Sequence, residues 1–382
     1  MIRKPTVRQV LETADATMDS VRFPADLGLL DAISMGEKRR LAGIQRLLAS
    51  GLHPRIARIP ITNVFSGCDY SARITIGSQH ATADVILDTG SSTLAVMLSA
   101  YDGTGDKHLQ PTTHAQVVEY GIGGWAGPVV NTSVGFGPGI SLRNTPIAIW
   151  SVDDIGVLKR ATGIMGLAYN DLNDAFDLTS YFEQTKKTAA TYLWPFPEQD
   201  FSTFHSDFRQ LRKTYGIHGQ SIAPYFGDLE SGVVVANKFA FHTLRSWVSK
   251  RAGSDAAITT DPLNQGILVR GGGEEQTDLY EGAFVEVKVL DDLYCNTKLK
   301  SLQVEGCSAV VAEPLQAKYI NDSKTNSIID SGTSVLWLTP DVYAAVIDSL
   351  KQLDPAFGAA IADVATASKQ NQGVPASRTS IS

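Results

Sequence analysis

The feature that most restricts this chain is a tetrapeptide used twice. Asp88-Thr89-Gly90-Ser91 follows the apolar run Val85-Ile86-Leu87 and precedes Leu94-Ala95-Val96, while Asp330-Ser331-Gly332-Thr333 follows Ile328-Ile329 and precedes Val335-Leu336-Trp337. A single Asp-(Thr/Ser)-Gly-(Ser/Thr) sequence arises by chance in a chain of 382 residues with a probability on the order of a few per cent, and a lone copy reads as a plain turn ending a strand. Two copies with the same apolar flanks are far rarer. They imply two related halves, each presenting an aspartate where a strand ends.

A chain of 382 residues exceeds what one hydrophobic core usually serves, so two lobes are expected. Within residues 1–58, Leu29, Leu30, Ile33, Leu41, Ile44, Leu47 and Leu48 recur at roughly helical spacing, and Gly51 followed by Pro54 is a stop signal. From Ile59 the texture changes to short alternating runs rich in β-branched residues: 59–61, 72–76, 83–87, 116–120, 145–150, 266–269 and 284–289. Two helices interrupt them. Phe204, Phe208 and Leu211 share a face that Gly216 would cap, and Thr339-Pro340 opens a second helix with Val342, Val346 and Leu350 on one side. The fold class is therefore mainly β. The expected domains are a helical N-terminal segment over 1–58, a β lobe with the first aspartate over 59–227, and a β lobe with the second over 228–382. The polar stretch from about 228 to 266 marks the boundary region.

Charge and composition exclude several function classes. The net charge is −7, and residues 1–58 hold ten Lys/Arg against six Asp/Glu, so a basic leader precedes a body of net −11. Such a body repels phosphate, and no basic stripe with interleaved aromatics appears, which argues against nucleic-acid binding. No apolar run approaches membrane-spanning length, and the start Met1-Ile2-Arg3-Lys4-Pro5 leads into no secretory h-region. With only Cys68, Cys295 and Cys307, the expectation is a cytoplasmic protein with reduced thiols. The scattered histidines lack metal-ligand spacing, so neither metal nor cofactor is expected. Gly121-Ile122-Gly123-Gly124-Trp125-Ala126 satisfies a dinucleotide pattern, but Gly127-Pro128-Val129-Val130 continues as a strand and offers no helix N-terminus for a pyrophosphate. Gly271-Gly272-Gly273 is crowded by Glu274, Glu275 and Asp278 and reads as a turn.

If the halves meet about a pseudo-twofold axis, Asp88 and Asp330 come together there. Two carboxylates in contact cannot both ionise cheaply, so they share a proton; one then acts as base toward a water while the other donates to a carbonyl oxygen. Gly90 and Gly332 permit the tight turn, and the hydroxyls of Thr89, Ser91, Ser331 and Thr333 are candidates to fix the carboxylates.

On these residues the chain resembles the pepsin family of bilobal aspartic endopeptidases. Glu119-Tyr120-Gly121-Ile122-Gly123-Gly124 resembles the tip of that family's substrate-covering flap, and Gly163-Ile164-Met165-Gly166-Leu167-Ala168-Tyr169 its hydrophobic-hydrophobic-Gly element beneath the first aspartate loop. Residues 267–272, with Tyr280-Glu281-Gly282, resemble the opening of its second lobe. The resemblance covers Ile59 onward in ordered pieces. It implies Asp88 and Asp330 as catalytic residues, Tyr120, Gly121 and Ile122 as the substrate-binding flap, no cofactor, and a peptide or unfolded protein as substrate. It also leaves residues 1–58 with two readings, a permanent extension or a propeptide laid over an acidic cleft; the first is favoured in a cytoplasmic chain.

Three departures accompany it. The position where the family usually carries a tryptophan supporting the flap tyrosine is Ala95 here, and Ile122 replaces a common threonine. None of the cysteines sits where the family's disulfides would lie. Ile164 follows Asp88 by 76 residues, so its counterpart would fall near position 406, whereas the sequence ends at Ser382. The expectation is thus a pepsin-like acid protease fold with an incomplete C-terminal lobe. Its function is expected to be aspartic endopeptidase activity, with peptide binding without cleavage as the alternative.

Overall fold

The computed structural model describes residues 56–356, apart from 65–67, 121–122, 138–139, 155–157, 159–160, 187, 228–237, 244–263, 292 and 334–335. The helical reading of 1–58 lies almost wholly outside the described residues. At its end the boundary moves, because strand β1 (Ala57–Val64) already includes Ala57 and Arg58.

Strands β2 (Cys68–Ile76) and β3 (Ala81–Asp88) form an antiparallel pair in which Arg73 stands opposite Asp84. Ala83, Val85 and Leu87 turn inward at every second position, as period-two alternation requires, and Asp84 turns outward to a bidentate pair with Arg73. β4 (Leu94–Met97) follows the Asp88 loop, and a long hairpin of β5 (Gln110–Tyr120) and β6 (Gly123–Gly135) rises beyond it. β7 (Ser141–Trp150) returns beside β6, β8 (Val152–Asp153) pairs with β6 near the hairpin tip, and β9 (Gly163–Gly166) runs parallel to β3 and antiparallel to β4. β10 (Asp174–Asp177), β11 (Gly219–Ser221), β12 (Phe239–Thr243) and β13 (Gln265–Arg270) complete one 13-stranded sheet. β13 lies against β1, which joins a strand from the second half of the chain to the first half's sheet. Of the expected boundary stretch 228–266, residues 228–237 and 244–263 lie outside the described residues, and β12 within it pairs with β13 in regular register.

The core sits between the faces of this sheet, where Ile74, Val85, Leu87, Val130, Ile147 and Met165 pack together. Each such side chain contributes about 1.5–3 kcal/mol on leaving water. A second cluster lies under the helices α1 (Thr179–Thr185) and α2 (Phe201–Tyr215). The Asp200 side chain accepts the Thr203 amide at the start of α2, and Gly216 closes it in the left-handed conformation, as the spacing of Phe204, Phe208 and Leu211 anticipates. Phe204 and Phe208 meet Phe196, and Phe208 meets Phe176, edge to face.

Beyond β13 the described chain is thinner. β14 (Asn296–Thr297) pairs with β17 (Ser327–Ile328), and β15 (Ser301–Leu302) with β16 (Val310–Val311). A single helical turn, α3 (Ile320–Ser323), precedes β17, and α4 (Pro340–Leu353) begins with Pro340 in its first turn and buries Val342. The strand expected over 284–289 is not formed. Residues 283–290 run exposed and outside any strand ladder of the described residues. Cys295 and Cys307 are free thiols. Among the described residues no helix is long and apolar enough to cross a membrane.

Candidate active site

β3 delivers Asp88 at its last position, and β9 holds the loop that follows. The Leu167 amide donates to the Asp88 carbonyl at 2.7 Å, the Ala168 amide to that of Ser91 at 2.8 Å, and the Gly166 amide to that of Thr93 at 2.9 Å. A Cβ on Gly166 would press into the Ser92 backbone, so the passage of β9 beneath the loop requires a glycine there.

The two tetrapeptides meet, and their carboxylates are held alike. Asp88 Oδ1 accepts the Gly90 amide at 2.8 Å and Oδ2 the Ser91 hydroxyl at 2.5 Å. Asp330 Oδ1 accepts the Gly332 amide at 2.8 Å and Oδ2 the Thr333 hydroxyl at 2.6 Å. Thr89 and Ser331 do something else. Each amide donates to the opposite hydroxyl, Thr89 to Ser331 Oγ at 3.0 Å and Ser331 to Thr89 Oγ1 at 2.8 Å. Each hydroxyl then donates to a carbonyl across the junction, Thr89 to Ile329 at 2.9 Å and Ser331 to Leu87 at 2.6 Å. The expectation that all four hydroxyls fix carboxylates is therefore corrected for two of them: Ser91 and Thr333 do so, while Thr89 and Ser331 bolt the loops together.

The glycines bring the acids close. A Cβ on Gly90 would stand 2.7 Å from the Asp330 Cγ, and one on Gly332 would collide with the Asp88 carboxylate. The two carboxyl groups are neighbours, each lying against the glycine of the opposite loop. Burial pushes the Asp88 carboxyl up to about 7; the Ser91 hydroxyl and Gly90 amide oppose that rise, and the neighbouring Asp330 charge adds to it. Asp88 is only 7% exposed, whereas Asp330 is half-buried.

The two loops also differ in what the described residues place beneath them. β17, before Asp330, pairs among the described residues with β14 alone, and the Ile329 amide donates to the Cys295 carbonyl at 3.0 Å. Among the described residues no strand passes under the Asp330 loop as β9 passes under that of Asp88, and Leu336 and Trp337 are 82% and 81% exposed where Leu94 and Ala95 are buried. Cys295, to which the sequence assigned no role, lies near both acids; burial raises its thiol, and the Asp330 and Asp88 charges raise it further.

Tyr120 ends β5 at the hairpin tip, opposite Gly123. Gly121 and Ile122 lie outside the described residues. The Trp125 indole N–H donates to the Tyr120 hydroxyl at 3.5 Å. Burial raises the phenol well above its ordinary value; Trp125 opposes this, the Asp88 charge adds to it and Ser91 opposes it. On the far side of the tip the Asp154 carboxylate accepts the Gly124 amide at 2.6 Å. Trp125 was missed in the sequence, where its signal was an aromatic five residues after Tyr120 on a strand of small residues. Among the described residues no cluster of His, Cys, Asp or Glu is arranged to hold a metal ion.

The mainly β fold brings together two hydroxyl-braced aspartates, one buried and one half-buried, near a hairpin that ends at Tyr120, an arrangement consistent with a pepsin-like fold. Residues 69–191 match the family model of eukaryotic aspartyl proteases, and this part of the chain is pepsin-like by sequence as well as by fold. The matched stretch contains Asp88, Tyr120 and β9; Asp330 lies outside it.

Proposed function

We propose that this chain is an aspartic endopeptidase in which Asp88 and Asp330 activate a water between them. The observation that carries this reading is the matched bracing of the two carboxyls, each held by the amide two residues on and the hydroxyl three residues on. Such bracing orients both acids, and their nearness, which makes double ionisation costly, leaves a single proton for the pair. Asp88, the more deeply buried, holds that proton and donates it to the oxygen of the scissile carbonyl. Asp330 takes a proton from the water, whose oxygen bonds to the carbonyl carbon. The resulting tetrahedral diol collapses as the C–N bond breaks; the proton on Asp330 passes to the leaving nitrogen, and one from the diol returns to Asp88. No cofactor enters the reaction. The hairpin tipped by Tyr120 covers the substrate, a peptide or unfolded segment with apolar residues around the cleaved bond.

A second reading is favoured by one observation. The exposed Asp330 loop, with Ile329, Leu336 and Trp337 uncovered, suits a protein that binds peptides in the cleft without turning them over. Incubation of the chain with a set of apolar-rich peptides between pH 3 and 7 separates the two. Cleavage that is lost in Asp88→Asn supports the peptidase; saturable binding without products at any pH supports the second reading.

A further inference from the structure

We infer that Trp125 is the positioning residue for Tyr120, and that the hairpin carries its own tyrosine support on its returning strand. The kinetic part of this inference rests on the peptidase reading; the contact itself does not.

Trp125 is 0% exposed, and among the described residues its indole N–H donates to the Tyr120 hydroxyl. A buried donor that loses its acceptor finds no water to replace it, so the pair is held by the cost of separating it. The seat of the indole is built for it. Ala95 on β4 and Ala148 on β7 stand side by side in register, both fully buried, and both belong to the cluster around Trp125. Two adjacent methyl groups leave the depth that an indole fills. Trp150 stacks on the other side, with ring centroids 5.5 Å apart and planes 14° from parallel, and Ile164 of β9 closes the cluster. The ring is thus anchored in the body of the sheet while its N–H reaches the tip residue. Ala95 is the very position at which the resemblance leads one to expect the supporting tryptophan, and its small side chain makes room for an indole arriving from the opposite strand.

At 3.5 Å the bond is long, as catalytic contacts commonly are before a ligand closes the site. Trp125 acts through Tyr120, whose hydroxyl its indole N–H meets.

The test has two arms. In the first, uniformly 15N-labelled protein shows the Trp125 indole N–H resonance, assigned by its absence in Trp125→Phe, and Tyr120→Phe moves that resonance. An indole resonance unmoved by Tyr120→Phe overturns the contact whether or not the chain cleaves peptides. In the second, Trp125→Phe raises KM about tenfold with a smaller change in kcat, and Trp125→Phe combined with Tyr120→Phe is no worse than Tyr120→Phe alone, because the tryptophan has nothing else to position. An unchanged KM, or losses that add fully, overturns the positioning role. If the wild-type chain cleaves nothing, the peptidase reading fails and the indole resonance alone decides the pairing.

Discussion

The Thr89 amide donates to the Ser331 hydroxyl at 3.0 Å, and the Ser331 amide donates to the Thr89 hydroxyl at 2.8 Å. Two loops 242 residues apart are thereby locked back to back, and both aspartates inherit their positions from that lock. Removal of either hydroxyl leaves an amide without its acceptor and a carbonyl without its donor.

Thr89→Val therefore costs about 1–3 kcal/mol of stability and lowers turnover through a displaced carboxyl. Thr89→Ser keeps the hydroxyl and restores most of both. Ser331→Ala behaves like Thr89→Val, and the double variant loses less than the two single losses combined, since each breaks the same lock. Chemical denaturation with peptide-cleavage kinetics checks both statements.

Gly332→Ala places a methyl group against the Asp88 carboxylate. The expected result is a loss of turnover of about a hundredfold or more, the scale of effect that a displacement near 1 Å produces at a reacting centre. The distant cluster under α2 is untouched, so its aromatic circular dichroism remains that of the parent.

Asp88 also sets a pH dependence of stability. Its folded carboxyl lies near 7 against an ordinary value of 3.8, so the folded state holds a proton that the unfolded state releases. This contribution is fully present below the ordinary value and is lost as the pH rises toward 7. Asp88→Asn removes the penalty: the variant is more stable than the parent at pH 7, by an amount on the order of a few kcal/mol, and has a flatter stability profile between pH 4 and 7. Thermal melts across that range read the difference.

Asp106 carries the opposite sign. Burial alone would raise its carboxyl, but the Thr132 hydroxyl, the Ser78 amide, the Tyr101 hydroxyl and the His108 amide together hold it well below the usual range. Its contribution is present above the ordinary carboxyl value and is lost as the pH falls below about 4. Asp106→Ala strands those four donors and costs about 2 kcal/mol at pH 7, with acid unfolding of the variant less steep than that of the parent.

Much of this was legible in the sequence because it is local. Alternation located β3, the spacing of Phe204, Phe208 and Leu211 located α2, and the repeated tetrapeptide located both acids. What the sequence concealed depends on neighbours distant along the chain. The crossed roles of Thr89 and Ser331 need both loops in place before either hydroxyl has its partner. The seat of Trp125 requires β4 and β7 side by side, which no spacing announces. Residues 284–289 show the converse. Their alternation is that of a strand, but a strand exists only where another lies beside it, and the described residues supply none.

The central claim is that Asp88 and Asp330 act as one unit on a water. A mutant cycle in kcat/KM on a single cleaved peptide tests it most directly, using the parent, Asp88→Asn, Asp330→Asn and the double variant between pH 3 and 7. The account predicts that each single substitution lowers kcat/KM by about a thousandfold or more, and that the double variant is no slower than the slower single one, because a pair sharing one proton fails when either member is lost. Cleavage at the parental rate by either single variant, or losses that multiply in the double variant, would contradict it.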